Sequence, residues 1–367
     1  MNRKKFIAAG AALGLAATLI ATAPAANAEP VANGPVIVGS DTLQDVMNAL
    51  ANGTNISGGN VRSTAGSANA ASFDATGSVS IQTKTGGNRF GRPNGSGDGV
   101  KALSRSIDGQ PYTSATSGAP ANVVISNQVD VARSSSGATV VANGPLLYIP
   151  FGRDALAYAH SGGSNAAFDN LDQATLKGIF ECTITQVGGV TVTPVIPQTG
   201  SGTRNDWISK VGIGTLGGCV VVGQEHDTNS LADGSAFPAN AITPMSAAQW
   251  VAQNTGAGVD RRGSGVKIGS PIAGVSPVTG TGTAMVPNST YYANSTWGRD
   301  TYIVVENARV TAGDAKFDPN LANLVSNATT KLGNTQSTLP GQAGSVKKKF
   351  GFLAPSTSTT FRAALRS

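Results

Sequence analysis

Short loops rich in glycine, serine and threonine constrain this chain more than any other feature of its sequence. The clearest is residues 198–207, QTGSGTRNDW, which follow an apolar, β-branched run and lead into a predicted short helix. Where a helix begins after such a loop, its first N–H groups have no intrahelical acceptor and its dipole adds positive potential. The loop therefore predicts an anion-binding site.

Three further loops have the same character. Residues 39–42 and 91–99 each precede apolar residues at helical spacing, and residues 133–137 follow a strand-like segment. Ligands of open α/β sheets bind where strands end in loops, so the repetition favours a ligand-binding cleft. The alternative for residues 39–42 is helix capping alone, and the alternative for Arg133 is an ordinary surface arginine.

Strands and helices alternate along the chain, which indicates an α/β fold rather than an all-β fold. Residues 146–151 form the most apolar predicted strand, residues 153–159 a second strand after a kink, and residues 301–305 another strong strand. We expect these segments to cross between two lobes. Lobe I would comprise residues 33–147 and 300–367, and lobe II residues 148–299.

The first 28 residues have the pattern of a signal peptide. Three basic residues at positions 3–5 precede an apolar segment, and small residues at positions 26–28 fit cleavage after Ala28. A membrane anchor would need a longer apolar span, and a lipid anchor would need a cysteine at the cleavage site. We therefore expect a secreted, extracellular protein with no stable membrane anchor.

The charge of the chain does not favour a nucleic-acid partner. The formal net charge is +6, and three of these positive charges lie in the predicted signal peptide. Nucleic-acid-binding proteins usually carry a concentrated basic surface. The only basic run is residues 347–349, and it is interpreted as solvated surface.

Cys182 and Cys219 are the only cysteines, and in an oxidising compartment they are expected to form one disulfide. A metal site is the alternative, but His160 and His226 are the only histidines that could complete it. Neither a metal nor a cofactor is therefore expected. Residues 225–227, Glu-His-Asp, could suggest acid–base or metal chemistry but are interpreted as a solvated loop.

The order of these motifs resembles that of the PstS-like phosphate-binding members of the periplasmic solute-binding (type II) superfamily. The shared motifs run from residues 39–42 through 95–101, 129–135, 148–151 and 198–203 to 299–305. The resemblance implies a two-lobed α/β fold with a central cleft and two crossover strands. It also implies a small oxyanion ligand, with phosphate expected, a monomeric state, and an ABC-type permease as the partner to look for.

The resemblance also implies which residues bind the ligand. Ser96 would bond the oxyanion at one helix, and the residues at 201–203 would do so at another. The predicted ligand-binding set is Ser40, Asp41, Thr42, Ser96, Arg133, Ser135, Ser201, Gly202, Thr203 and Arg204.

The sequence departs from the family pattern at two positions. The aspartate that accepts the proton of monohydrogen phosphate falls at Ser135, and an arginine upstream of the Gly-Ser-Gly-Thr loop falls at Pro197. Arg133, Arg153 or Arg204 could supply the missing positive charge. Unless Asp41 or Asp98 replaces the carboxylate, we expect poor discrimination between phosphate and sulfate.

Two other functions compete with solute binding. A secreted serine hydrolase or phosphatase would need a nucleophile loop with a histidine base, and residues 95–97 and 200–202 lack the full Gly-x-Ser-x-Gly spacing. An enzyme is therefore not expected. Because two family residues are replaced, an interaction or adhesion protein that keeps the fold without a ligand is the other alternative.

Overall fold

The computed structural model describes residues 32–56 and 58–367. The predicted signal peptide, residues 1–28, lies outside the described residues. Among the residues described, we find no helix with the length and apolar character needed to cross a membrane.

A mixed sheet of ten strands lies at the centre of the fold. In chain order the strands are β1 (Val36–Gly39), β2 (Ala71–Ser72), β3 (Val131–Ser134), β4 (Leu146–His160), β5 (Thr193–Pro197), β6 (Val221–Gly223), β7 (Ala241–Ser246), β8 (Lys267–Gly269), β9 (Gly298–Glu306) and β10 (Phe361–Ala363). The order across the sheet is β6-β5-β7-β4-β9-β3-β1-β2, and β8 and β10 both pair with β4.

Two parallel groups of strands are joined by two antiparallel strands. The groups are β2-β1-β3 and β6-β5-β7, and β4 and β9 lie between them. The first half of β4 pairs with β9 and β10, and its last residues pair with β7 and β8. These are the two predicted crossover strands, and the predicted α/β class is confirmed.

The two strands predicted at residues 146–151 and 153–159 form one strand, β4. Its pairing with β9 shifts register between Pro150 and Gly152. Proline has no N–H to donate, so a sheet accommodates it at an irregularity of this kind. The apparent kink in the sequence is therefore a bulge inside a continuous strand.

Nine α-helices occur among the described residues. They are α1 (Gln44–Asn52), α2 (Ser96–Asp108), α3 (Gln173–Phe180), α4 (Gly202–Val211), α5 (Ala247–Thr255), α6 (Ser289–Tyr292), α7 (Asn307–Val310), α8 (Pro319–Val325) and α9 (Ala343–Lys349). Short 3-10 turns lie at Asp41–Leu43, Ala166–Phe168 and Gly282–Ala284. Small two-stranded ladders pair Thr54–Ile56 with Gly59–Val61, Thr64–Ala65 with Ala68–Asn69, Ser80–Ile81 with Phe90–Gly91, Pro111–Tyr112 with Val123–Val124, Gln186–Val187 with Val190–Thr191, and Val278–Thr279 with Val286–Pro287.

Helices cover both faces of the first parallel group. Ile37 of β1 packs into a core shared with α1, α8 and α9, while Val36 and Val38 pack into a second core with α2. Strands covered on both faces are buried throughout, as β1 is. A third core contains Trp207 of α4, residues of α3 and Leu156 of β4.

The predicted disulfide is confirmed. Cys182 and Cys219 are bonded, with their Cα atoms 6.0 Å apart and a sequence separation of 37. Cys182 follows α3 and Cys219 lies in the segment after α4, so the bond joins the segments that follow these two helices.

The solvated-surface interpretation of the basic run is wrong for Lys347. Lys348 and Lys349 are exposed, but Lys347 is buried and donates to the carbonyls of Phe151 (2.9 Å) and Leu332 (2.7 Å). Burial lowers the pKa of Lys347 well below its usual value. One side of α9 faces the core, so three adjacent lysines cannot all reach solvent.

Candidate functional site

The N-termini of α2 and α4 adjoin in the structure. The Gly97 N–H donates to the carbonyl of Gly200 (3.2 Å), and the Gln198 side chain donates to the carbonyl of Asn94 (2.9 Å). Gly200 has a φ of +97°, in the region that favours glycine. The predicted loops at residues 91–99 and 198–207 are therefore in direct contact, although about a hundred residues separate them.

Ser96, Ser135 and Gly202 lie together at this junction. The hydroxyls of Ser96 and Ser135 are 3.0 Å apart, and the Ser135 N–H donates to Ser96 Oγ at 3.0 Å. A Cβ at position 202 would collide with both hydroxyls, so glycine is what lets the first turn of α4 approach them. All three residues are buried.

Two threonines continue this group of polar residues. Thr42 Oγ1 and Thr203 Oγ1 are 3.4 Å apart, and Arg299 Nη2 lies 3.3 Å from the first and 3.0 Å from the second. We call Ser96, Ser135, Gly202, Thr203 and Thr42 the hydroxyl cluster. It contains five of the ten predicted ligand-binding residues, drawn from all four predicted loops.

Ser201 and Ser40 lie beside the hydroxyl cluster without forming part of it. The Ser201 hydroxyl caps α4 by accepting from the Arg204 N–H (2.9 Å). Ser40 is buried, and its hydroxyl forms no hydrogen bond with any described residue.

The arginines predicted to supply charge are engaged elsewhere. Arg133 is fully buried and donates to the carbonyls of Gly39, Ser40 and Phe73, and burial lowers its pKa to about 10. Arg204 donates to the carbonyl of Pro197 (2.7 Å). Arg153 pairs with Asp300 at 3.0 Å. None of these contacts reaches the hydroxyl cluster.

Arg299 is the cation that contacts the hydroxyl cluster, and sequence reasoning assigned it no role. It lies in β9 opposite Asp154 of β4 and binds that carboxylate at 2.8 Å, while its Nη1 binds Asp206 of α4 at 2.8 Å. Burial alone would lower the pKa of Arg299, but these two carboxylates outweigh it and raise that pKa. The sequence contained one signal for this role, because Arg299 is the first residue of the motif at residues 299–305 that resembles the family pattern.

The solvated-loop interpretation of residues 225–227 is wrong. Glu225 and His226 are each only 1% exposed. The Glu225 Oε1 atom accepts from the Thr42 hydroxyl (3.1 Å), and His226 Nδ1 lies 2.9 Å from Asp41 Oδ1. Burial acts to raise the pKa of Asp41, but the hydrogen bond and charge of His226 outweigh it and lower that pKa. Local charge pattern did not reveal this pairing because its partners lie almost two hundred residues away.

The third residue of that run, Asp227, keeps a local role. Its carboxylate accepts from the N–H groups of Asn229 (2.8 Å) and Ser230 (3.0 Å). Within residues 32–56 and 58–367, no three His, Cys, Asp or Glu side chains are arranged to hold a metal ion.

A family model described as the PBP superfamily domain matches residues 36–317. No curated protein matches the chain. Similar solved structures include an ABC-type phosphate transport receptor from Vibrio cholerae, with 16% identity, a TM-score of 0.49, and coverage of 88% of this chain and 100% of that one.

Two others are a putative phosphate ABC transporter substrate-binding protein with bound phosphate from Clostridium perfringens and a phosphate-binding protein from Stenotrophomonas maltophilia. The first has 14% identity, a TM-score of 0.47 and coverage of 80% and 93% of the two chains. The second has 11% identity, a TM-score of 0.47 and coverage of 89% and 91%. The family match includes every residue of the hydroxyl cluster as well as Arg299.

Proposed function

The chain belongs to the PBP superfamily, and on this premise we propose that it captures a small oxyanion, with phosphate the leading candidate, in the cleft between its two lobes. The two-lobed α/β fold is the one that the resemblance implied. The proposed lobes are residues 33–147 with 300–367, and residues 148–299.

This proposal rests on the geometry of the hydroxyl cluster. Four hydroxyls from separate segments converge where α2 and α4 begin, and all four side chains are buried. The first N–H groups of each helix have no intrahelical acceptor. Amides, hydroxyls and two helix dipoles together form a favourable environment for an oxyanion.

Binding requires the cleft to widen. The hydroxyls bond one another, at 3.0 Å for Ser96 and Ser135 and 3.4 Å for Thr42 and Thr203, so an oxyanion must take the place of these contacts. We propose that the lobes move about β4 and β9 as hinge strands. A monomer secreted after cleavage at Ala28 would then deliver its ligand to a permease or act as a scavenger.

Discrimination between oxyanions depends on position 135. Asp98 accepts from the Ser114 hydroxyl (2.9 Å) and the Ala115 N–H (2.8 Å), and Asp41 is bonded to His226. Both carboxylates that could replace the missing aspartate are therefore engaged away from Ser135. We continue to expect weak discrimination between phosphate and sulfate.

The contacts of the two histidines do not favour a serine hydrolase. His226 is bonded to Asp41, and His160 Nε2 lies 3.2 Å from Asp169. Neither forms a hydrogen bond with Ser96 or Ser201, whose partners are Ser135 and Arg204. A hydrolase would need a histidine base on its nucleophile.

Calorimetry on residues 29–367 tests the proposal. We expect phosphate and sulfate each to bind at one site per chain, and the double variant Ser96→Ala, Thr203→Val to bind neither. Ser104→Ala is the matched control, because its hydroxyl donates to the Val100 carbonyl and accepts from the Arg366 N–H, and neither partner belongs to the hydroxyl cluster. Absence of binding by the folded native protein would favour the ligand-free interaction protein instead.

A further inference from the structure

Four buried polar atoms around residues 40–42 have no hydrogen-bond partner among the described residues. They are Ser40 Oγ, Glu225 Oε2, His226 Nε2 and Gln249 Oε1. Each of these side chains is at most 2% exposed. Leaving one such group unpaired costs about 1–3 kcal/mol, so four together indicate a ligand subsite.

All four residues belong to the same small region. Glu225 accepts from the Thr42 hydroxyl (3.1 Å), and His226 Nδ1 lies 2.9 Å from Asp41. The Gln249 side-chain N–H donates to the carbonyl of Thr42 (2.9 Å). The side-chain oxygen of Gln249, Oε1, therefore points away from that carbonyl. The Thr42 hydroxyl thus connects this region to Thr203 of the hydroxyl cluster, at 3.4 Å.

The unpaired atoms are mainly acceptors. A carboxylate oxygen and an amide oxygen can only accept, and a serine hydroxyl can do either. His226 Nδ1 donates to the Asp41 carboxylate, and His226 Nε2 lies 3.6 Å from Glu225 Oε1. The region therefore fits a ligand that donates several hydrogen bonds.

The local charges favour a cationic donor. Arg299 already pairs with both Asp154 and Asp206. The Glu225 carboxylate has only the His226 ring within ion-pair distance, at 3.6 Å. Arg261, whose charge also acts on Asp41, pairs with Asp45 at 3.7 Å, and its Nη1 is an unpaired donor in the same region. A free inorganic oxyanion would bring more negative charge toward Glu225 and could offer it few protons.

We propose that the natural ligand is a zwitterion, an oxyanion group joined by a short linker to an ammonium group. The inference rests on the proposed function, since the oxyanion end would lie in the hydroxyl cluster. The ammonium end would lie among Glu225, Ser40, His226 and Gln249. Glu225 is then the residue that determines specificity for the cationic end, while Ser135 faces the anionic end.

Calorimetry with four small probes tests this. Phosphorylethanolamine carries both groups, ethyl phosphate and inorganic phosphate carry only the anion, and ethanolamine carries only the cation. We expect phosphorylethanolamine to bind about tenfold or more tighter than either anion alone, since an ammonium–carboxylate hydrogen bond is charge-assisted. Glu225→Gln should reduce that ratio to about threefold or less, and it should bind ethyl phosphate at least as tightly as the native protein does, because a negative charge near the anion is removed.

The surface variant Asp314→Asn removes one negative charge from an exposed residue and should change none of these ratios. Equal affinity for phosphorylethanolamine and ethyl phosphate, with inorganic phosphate also bound, would overturn the zwitterion and leave the oxyanion function intact. Failure of all four probes to bind the folded protein would overturn both. An unchanged preference in Glu225→Gln would overturn the role of Glu225.

Discussion

Arg299 connects three segments that are far apart in sequence. Its guanidinium binds Asp154 of β4 and Asp206 of α4 and reaches the hydroxyls of Thr42 and Thr203. It is 6% exposed, and Asp154 is fully buried. A cation in this position holds the crossover strands to the helix whose N-terminus contributes to the cleft.

We expect Arg299→Gln to lower the free energy of unfolding by about 3–5 kcal/mol, because it leaves a buried carboxylate without its cation. Urea denaturation followed by circular dichroism measures this. Arg262→Gln is the control, since its partner Asp260 is largely exposed and the pair should contribute less than about 1 kcal/mol. A loss of less than about 1 kcal/mol in Arg299→Gln would show that the Arg299 network contributes little.

Position 135 sets the oxyanion preference in this account. In Ser135→Asp a carboxylate would face the anion, accept the proton of monohydrogen phosphate and repel sulfate. One charge-assisted hydrogen bond contributes about 1.5–3 kcal/mol, so the ratio of phosphate to sulfate affinity should rise roughly tenfold to a hundredfold. Competition calorimetry gives the ratio, and an unchanged value would place the ligand away from residue 135.

For single residues, the sequence predicted which polar residues come together but not which hydrogen-bond partners they have. The convergence of Ser96 and Thr203 followed from motif order, because each lies in the first turn of a helix that follows a strand. The burial of His226 and Lys347 did not follow, since their partners, Asp41 and the Phe151 carbonyl, come from distant segments. A charged residue among polar neighbours has the same local pattern whether it is buried or solvated.

The α4 helix is the element on which the site most depends. Its N-cap Ser201 is fully buried and accepts from the Arg204 N–H. Ser201→Ala should cost about 1 kcal/mol of stability through the lost cap. It should also weaken phosphate binding, whereas Asp172→Ala, which removes the side-chain cap of α3, should affect only stability. Unfolding and calorimetry on both variants separate the two effects, and equal loss of binding would contradict the account.

The disulfide stabilises the element pair α3 and α4. Replacing Cys182 and Cys219 with serine should cost about 2–4 kcal/mol, as expected for a closed loop of this size. The melting temperature should fall, and the oxidised native protein should contain no titratable thiol. Two thiols in protein from an oxidising compartment, or an unchanged melting temperature after reduction, would contradict this.

The sequence predicted which strands and helices occur better than it predicted where each one begins and ends. The strands predicted at residues 146–151 and 301–305 are present, but β4 continues to His160 and β9 begins at Gly298. The break predicted within β4 is a bulge at Pro150, because strand pairing with β9 continues on both sides of it. Pairing partners decide such boundaries, and they are remote in sequence.

For the whole molecule, His160 introduces a pH dependence of stability. Burial lowers its pKa below the usual value, although Asp169 at 3.2 Å acts in the opposite direction. In the unfolded chain the pKa is about 6.5, so below that pH the unfolded state takes up a proton that the folded state does not. The free energy of unfolding should therefore decrease as the pH falls below about 6.5.

Denaturant unfolding from about pH 7 to about pH 5 measures this slope. His160→Asn keeps an acceptor for the Gly162 N–H, which lies 3.3 Å from His160 Nδ1, and should lose stability less steeply over that range. An identical slope in the two proteins would show that His160 titrates alike in the folded and unfolded chains.

Whole-molecule architecture was predictable because alternating strands and helices admit few arrangements. The α/β class, the two crossover strands and the disulfide followed from pattern and composition. The lobe boundaries and the ligand stay predictions. The boundaries depend on which residues move together, and the ligand depends on which polar atoms of the cleft remain unpaired.

The position of a bound oxyanion shows whether the hydroxyl cluster is the binding site. Crystals of residues 29–367 grown with arsenate would locate the anion through the anomalous scattering of arsenic. We expect one strong peak within hydrogen-bond distance of Ser96, Ser135 and the Thr203 N–H, with the lobes separated enough to break the Thr42–Thr203 contact. A peak elsewhere, or none at saturating arsenate, would contradict the account.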